Sequence, residues 1–427
     1  MNSTVKHLTK IGVSVLKYSI ALILLAALVL GIYLSQFFIF TPEPDVELSD
    51  VNTVTELDQY LTRLTQLELP PALDITVLKN GKEVFSKAYG VKDGKMRLPA
   101  DKDSIYHFYS STKSITAVAV LQLIEKGVIK FDDDIRQYLP EFKPVNNQNQ
   151  PQAISIEQLL TQSSGLPDIS VKQFHWVRDI NQSALGDTAV VKQYLGDFNQ
   201  TAWLPGTQKK YVNTNYILLG AMIDAVTLDG YESYVLENIL EPLGMKSSDF
   251  VYREDMLKHA ITGVQDHYHF FTPLLTVFGP KGGIDSFTDY KINNQHWLKL
   301  LYTDYVASTS LMGTGKDMSR FAQMLLNGGS LNGVNILTKE STDKILSKGK
   351  LPEEVIKAKN GDLPYVLGYG TKTWYGDDFE AIGHGGSGPG FIMQYFVIPD
   401  KDIVVVVLAS NASTDANGIA LKAANLF

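Results

Sequence analysis

The spacing of apolar residues changes several times along this chain, and each change predicts a different kind of element. From Tyr18 to Phe40 the chain is apolar on every side, and between Ile20 and Leu34 the Tyr33 hydroxyl is its one polar side-chain group. At ~1.5 Å per residue such a run is long enough to cross a bilayer core of ~30 Å. Lys6, Lys10 and Lys17 precede it, and Glu43, Asp45, Glu47 and Asp50 follow it. The positive-inside rule then predicts a cytoplasmic N-terminus over 1–17, a single transmembrane anchor over 18–40, and export of everything beyond. A cleaved signal peptide is the competing reading. It calls for a shorter apolar stretch and small residues at the cleavage point, which Leu34–Ser35–Gln36–Phe37 supply poorly.

Pro42, Glu43 and Pro44 open a polar linker over 41–50, and the pattern from 51 to 427 is that of a globular domain. Val51 to Leu69 is spaced as an amphipathic helix. Leu73–Leu78 and Val84–Ala88 read as two strands joined across Asn80–Gly81, a dipeptide suited to a type I′ hairpin turn. Ile115, Val118, Ala119, Gln122 and Leu123 follow a helical spacing that ends at Gly127. Phe131–Leu139 carries an acidic cluster without the glycine or distal glutamate of a calcium loop, and reads as a solvated helix start. The pattern from about 130 to 300 is mainly helical and predicts an all-helical insertion, broken by the turn-rich Gln162–Pro167 and by Pro205–Gly206. Strands return at Thr371–Tyr375, Phe391–Ile398 and Asp402–Leu408. The run Val404–Val407 is apolar on both faces, which suits a central strand covered by helices. Gly383–Gly390, with five glycines in eight positions, reads as an open connection between strands.

Composition narrows the function. A formal net charge of −8 without a Lys/Arg cluster excludes a general nucleic-acid binder. The absence of cysteine excludes disulfides, thiolate zinc sites and a thiol nucleophile. Nothing nearby completes a metal site around Asp266, His267 and His269, which read instead as part of an aromatic loop beside the cleft, with Tyr268 and Phe271. Gly313–Lys316 departs from a phosphate-binding loop, because Asp317 stands where a serine or threonine is required.

The candidate chemistry begins at Ser110 and Lys113, three residues apart at a helix start and therefore on one face. A serine is a weak nucleophile at neutral pH, and a neighbouring amine can take its proton. Tyr211 and Asn213 follow before the helix Tyr216–Val226, and His384, Gly386 and Ser387 lie in the glycine-rich stretch. In this order the three motifs resemble those of the serine β-lactamase and penicillin-binding protein superfamily. The resemblance is to its class C-like branch of D-alanyl-D-alanine carboxypeptidases, D-aminopeptidases and esterases, and it extends from Pro71 to about Asn411. It implies an α/β (α+β) fold with an antiparallel sheet flanked by helices, an all-helical region, and a cleft between them. It also implies hydrolysis of an amide or ester through an acyl-enzyme on Ser110, with no metal or organic cofactor. Lys113 and Tyr211 would manage the proton, either one as base, their proximity lowering both from the usual range. Asn213 would bond the acyl side-chain amide, His384 and Gly386 would line the substrate site, and the N–H groups of Ser110 and Ser387 would form the oxyanion hole. Class C β-lactamases carry lysine where His384 stands, so carboxylate recognition is expected to be weaker here. The expected substrates are D-amino-acid peptides of the cell wall; the alternatives are a carboxylesterase or weak β-lactamase on the same fold, or a non-hydrolytic penicillin-binding sensor or scaffold. The expected partners are that small-molecule or peptide substrate and a lipid bilayer.

Overall fold

The computed structural model describes residues 47–168, 177–267, 272, 282–348, 365–376 and 378–427. The expected cytoplasmic stretch, the membrane anchor, most of the linker and the aromatic loop Tyr268–Phe271 lie outside the described residues. Among the described residues no helix is long and apolar enough to cross a membrane.

Helix α1 (Val54–Gln66) leads into β1 (Ala72–Lys79) and β2 (Lys82–Asp93), with a short β3 (Leu98–Pro99) beside them. The expected hairpin forms: Asn80 and Gly81 both have left-handed φ, 51° and 69°, as a type I′ turn requires. Next comes α2 (Thr112–Glu125), whose residues from Thr112 to Leu123 are all buried. A helix apolar on all sides belongs in the middle of a core. Its polar positions are tied off, with Ser114 donating to the Gly370 carbonyl at 2.6 Å and Thr116 to that of Ala307 at 2.6 Å.

Helices α3 (Asp187–Phe198) and α4 (Asn213–Val226) pack beside it. The expectation of an all-helical insertion fails at its C-terminal end. There, β4 (Val264–Asp266), β5 (Thr288–Ile292) and β6 (Gln295–Leu298) form a three-stranded antiparallel sheet. Strands of three to five residues are too short to establish a visible alternation. The turn at Asn293, with φ 53°, was the readable signal. A one-turn helix α5 (Val306–Thr309) and the longer α6 (Gly315–Leu326) follow, Thr314 capping α6 by accepting from the Asp317 N–H. The acidic cluster near Asp133 likewise closes turns: Asp134 caps a short 3-10 helix and Asp133 accepts from the Lys130 N–H.

The chain ends in β7 (Tyr365–Leu367), β8 (Lys372–Tyr375), β9 (Glu380–Gly388), β10 (Phe391–Ile398), β11 (Ile403–Ala409) and α7 (Ala416–Leu426). All belong to one antiparallel sheet except α7, in the order β7-β8-β9-β10-β11-β1-β2-β3. The glycine-rich stretch is therefore mostly strand rather than an open connection. The valine-rich β11 is central, as its pattern predicts: Val404 and Val406 face the core of α2, α4 and α6, while Val405 and Val407 face that of α1 and α7.

Asp74 on β1 is the costly exception in this sheet. It is 3% exposed, its Oδ1 has no partner, and the first turn of α6 stands so close that a side chain at Gly315 would collide with it. Burial pushes its carboxyl up to about 8. A carboxyl raised in the folded state contributes stability that is complete below its unfolded value near 3.9 and is lost as pH rises through 8. We therefore expect unfolding free energy to fall between pH 4 and pH 8. Asp74→Asn should flatten that slope, with a gain on the order of a few kcal/mol at pH 8, measured by denaturant titration at several pH values.

Candidate active site

A tight backbone brings Ser110 to the surface of the core. Tyr109, just before it, has a left-handed φ of 42°, which costs a bulky residue of order 1–3 kcal/mol and persists where the surroundings enforce it. Here the Tyr109 hydroxyl donates to the Pro389 carbonyl at 2.7 Å, and its ring stacks on His107 with centroids 5.3 Å apart. One turn of 3-10 helix over Tyr109–Ser111 then feeds α2, leaving Ser110 half-buried on a cavity of about 280 Å³. Its neighbour Ser111 is fully buried and donates to the His384 carbonyl at 3.0 Å, so Ser110 is the hydroxyl that a substrate can reach.

Lys113 lies one helical turn on and is 0% exposed. Its Nζ contacts Asn213 Oδ1 at 2.8 Å, the Ser308 carbonyl at 3.0 Å and Ser110 Oγ at 3.2 Å. Burial holds this amine well below the usual lysine range; Asp168 and Asp187 raise it and Lys372 lowers it further, all more weakly. Two of the three contacts are to carbonyl oxygens, which only accept. Once it has given up its proton, the amine would have two N–H donors for them and one lone pair for the Ser110 hydroxyl, the one partner that can donate.

Several segments hold this arrangement. Asn213 begins α4 rather than lying on a loop, its N–H donating to Asp168 Oδ1 at 2.8 Å. Its Oδ1, committed to Lys113, also accepts from the Ser308 hydroxyl at 3.0 Å. The turn Gln162–Pro167 pins the start of α4: Gln162 Oε1 accepts from the Val212 N–H at 3.0 Å and from Asn215 Nδ2 at 2.6 Å. Asp187, at the N-terminus of α3, accepts from the Ala307 N–H at 2.8 Å and so fixes the turn that presents Ser308. Ser308 had no signal in the sequence, lying on a four-residue helix remote from every motif.

Tyr211 lines the same cavity, with the Lys113 Nζ 5.0 Å from its ring centroid. The expectation that proximity lowers both groups is replaced by an effect of burial, which lowers the amine and raises the phenol. Burial drives Tyr211 well above the ordinary phenol range, while the nearby Ser110 hydroxyl lowers it by less. The Tyr211 hydroxyl itself is buried and makes no formed hydrogen bond.

On β9 the two kinds of residue separate. His384 is 2% exposed, its Nδ1 donates to the Gly385 carbonyl at 2.6 Å, and burial holds its ring well below the usual imidazole range. Its ring is absent from the cavity wall, whereas Gly385, Gly386 and the exposed Ser387 line it beside Ser110. Gly386 has to lack a side chain: a Cβ would collide with the Phe108 carbonyl and reach 2.9 Å from the Ser110 nitrogen. That close approach sets the Ser387 backbone next to Ser110. On its other edge β9 pairs with β8 only from Glu380 to Gly383, so Gly385 to Gly388 have no partner strand there among the described residues. Lys372, at the start of β8, also faces the cavity. No motif in the sequence singles it out. Among the described residues no group of three or more His, Cys, Asp or Glu side chains is placed to hold a metal.

A reachable serine hydroxyl beside a dry amine, with a glycine-bared strand against its backbone, is an arrangement suited to nucleophilic attack on a carbonyl. The chain belongs to the Beta-lactamase family, whose model matches residues 66–426. Over 216 residues, 49% of this chain, it is 30% identical to Protein flp of Staphylococcus aureus (strain N315), and the match covers 41% of that protein. The chain thus spans less than half the length of that relative. Among solved structures it is similar to the octameric penicillin-binding protein homologue from Pyrococcus abyssi (TM-score 0.67, 24% identity, 87% of this chain and 77% of that one). It is also similar to the D-amino acid amidase from Ochrobactrum anthropi SV3 (TM-score 0.68, 16% identity, 89% and 99%). At these identities the two structures establish the fold.

Two outcomes follow from this geometry. Gly386→Ala forces β9 away from Ser110 and should lower kcat/KM by about 10²-fold while the protein stays folded, checked by kinetics and thermal unfolding together. Removing the carboxylate that raises Lys113, in Asp168→Asn, should move the acid limb of the kcat/KM profile to lower pH. The base form then survives further into acid; an unmoved limb would show that Lys113 does not set it.

Proposed function

We propose that this protein is a membrane-anchored, extracytoplasmic serine hydrolase that cleaves D-amino-acid peptides of the cell wall, with Ser110 as nucleophile. The reading rests above all on the uncharged Lys113 amine, whose remaining lone pair meets the Ser110 hydroxyl. Ser110 Oγ attacks the scissile carbonyl carbon as Lys113 takes its proton, and the oxyanion that forms is held by the N–H groups of Ser110 and Ser387. The carbon–nitrogen bond then breaks. The departing amine takes a proton from Lys113, relayed by Tyr211, which burial keeps as a phenol able to donate. Water then adds to the acyl-enzyme by the same route in reverse, releasing the acid and restoring Ser110.

Asn213 in this scheme orients Lys113, and its Nδ2 offers a donor toward the acyl chain. The likeness to a D-amino acid amidase supports the substrate class, and an ester is cleaved by the same steps with an alcohol leaving. The apolar run 18–40, with lysines before it and carboxylates after, supports an anchored domain outside the cytoplasm.

The domain from Val51 onward should turn over at least one of three probes: a D-Ala-D-Ala peptide, a chromogenic short-chain ester or a chromogenic cephalosporin. Ser110→Ala should abolish that turnover and Lys113→Met should cut it by about 10²–10⁴-fold. Equal rates in wild type and Ser110→Ala on all three would sink the proposal. A stable acyl-enzyme without turnover, seen by mass spectrometry, would point instead to a penicillin-binding sensor.

A further inference from the structure

Two lysines approach one aromatic ring at the catalytic cavity. Lys113 Nζ lies 5.0 Å from the Tyr211 ring centroid, and Lys372 Nζ lies 4.6 Å from the same centroid. The Tyr365 ring, 4.4 Å away, and the Trp374 ring, 5.9 Å away, also surround the Lys372 ammonium. An ammonium is attracted to the faces of such rings, which favours its charged form. The two amines differ in access to water: Lys113 is fully buried, whereas Lys372 is half-exposed on the cavity wall. Two like charges this close in a dry site oppose one another, and the proton stays where solvation is better.

We infer that Lys372 is a positioning residue for the reaction: its ammonium, seated on the Tyr211 ring, opposes a second positive charge on the buried Lys113 and so helps ready that amine to accept from Ser110. The inference rests on the role proposed for Lys113. Among the described residues, charged and titratable groups reach Lys113 from several elements. Asp168, from the turn before residue 169, and Asp187, from α3, favour a proton on Lys113. Tyr216, from α4, offers its ring at 5.9 Å from Lys113 Nζ, and Tyr211 lies between the two lysines. Burial holds His384, from β9, well below the usual imidazole range, and Lys372 acts in the same direction. Around Lys113, the cation opposing the two carboxylates is Lys372.

The sequence accounts for the placement. Lys372 stands opposite Gly383 in the register of β8 and β9, at the last residue pair before β9 becomes unpaired on that edge.

The test measures pH dependence on a neutral probe, so that attraction between substrate and lysine plays no part. The rate at which a fluorophosphonate labels Ser110 would be followed from acid to neutral pH in wild type, Lys372→Met and Lys372→Arg. With the cation removed, Lys113 holds its proton more tightly, so the acid limb of Lys372→Met should move to higher pH. Its rate deficit should be largest in acid and shrink toward neutrality. Lys372→Arg should return the limb to the wild-type position, which a packing role for the lysine stem would not require. An unmoved limb in a folded Lys372→Met protein overturns the inference. So does a change seen only as a higher KM for carboxylate-bearing esters, which would make Lys372 a substrate anchor. No labelling of Ser110 in wild type at any pH would instead overturn the nucleophile assignment, a result distinct from either.

Discussion

Keeping a lysine amine dry is the constraint to which the rest of this structure is fitted. An ammonium without water is expensive, and the cheap escape for a buried lysine is to give up its proton. An uncharged amine then needs its two N–H groups satisfied, and the fold supplies an Asn213 side chain from one helix and a Ser308 carbonyl from another. Ser110 receives what is left over. Helix α2 has to be central and apolar on all sides to bury Lys113, so its Ser114 and Thr116 have to be bonded to carbonyls from neighbouring segments. The sheet has to come close enough to the helix start for β9 to meet Phe108, and only glycine permits that contact.

The fold was legible where a local rule had no rival. Asn80–Gly81 between two alternating runs states a hairpin, and a run of valines apolar on both faces states a central strand. Ser110 and Lys113 were legible for a related reason: three residues on a helix is a distance that the sequence itself fixes. Where elements shrink to three or four residues the pattern carries no period. The small sheet of β4, β5 and β6 was accordingly read as helix, and α5 was not seen.

What stayed hidden in the site depends on burial and on register across the sheet. Ser308 and Lys372 belong to no motif, and their place at the cavity exists only once distant strands and helices are paired. The opposite shifts of Lys113 and Tyr211 were beyond reach for the same reason. Proximity acts on both groups in one sense, whereas burial favours the uncharged form of each and so lowers an amine and raises a phenol. His384 shows the converse. Its position in the motif is plain in the sequence, but the alternation of β9 turns its ring inward and leaves glycines and Ser387 at the cavity.

The position of β11 also governs when this site can come into being. β11 lies between β10 and β1, and the Ala72 N–H is bonded to a Ser410 side chain 338 residues later in sequence. During synthesis the first hairpin and the serine helix emerge long before the strand that joins them to β9. Closing so long a loop is slow, and until it closes Gly386 and Ser387 have no fixed place beside Ser110. A chain still being made, or one arrested partway through folding, therefore carries the nucleophile without the strand that completes its site. The complete site therefore arises late, after most of the polypeptide has been made.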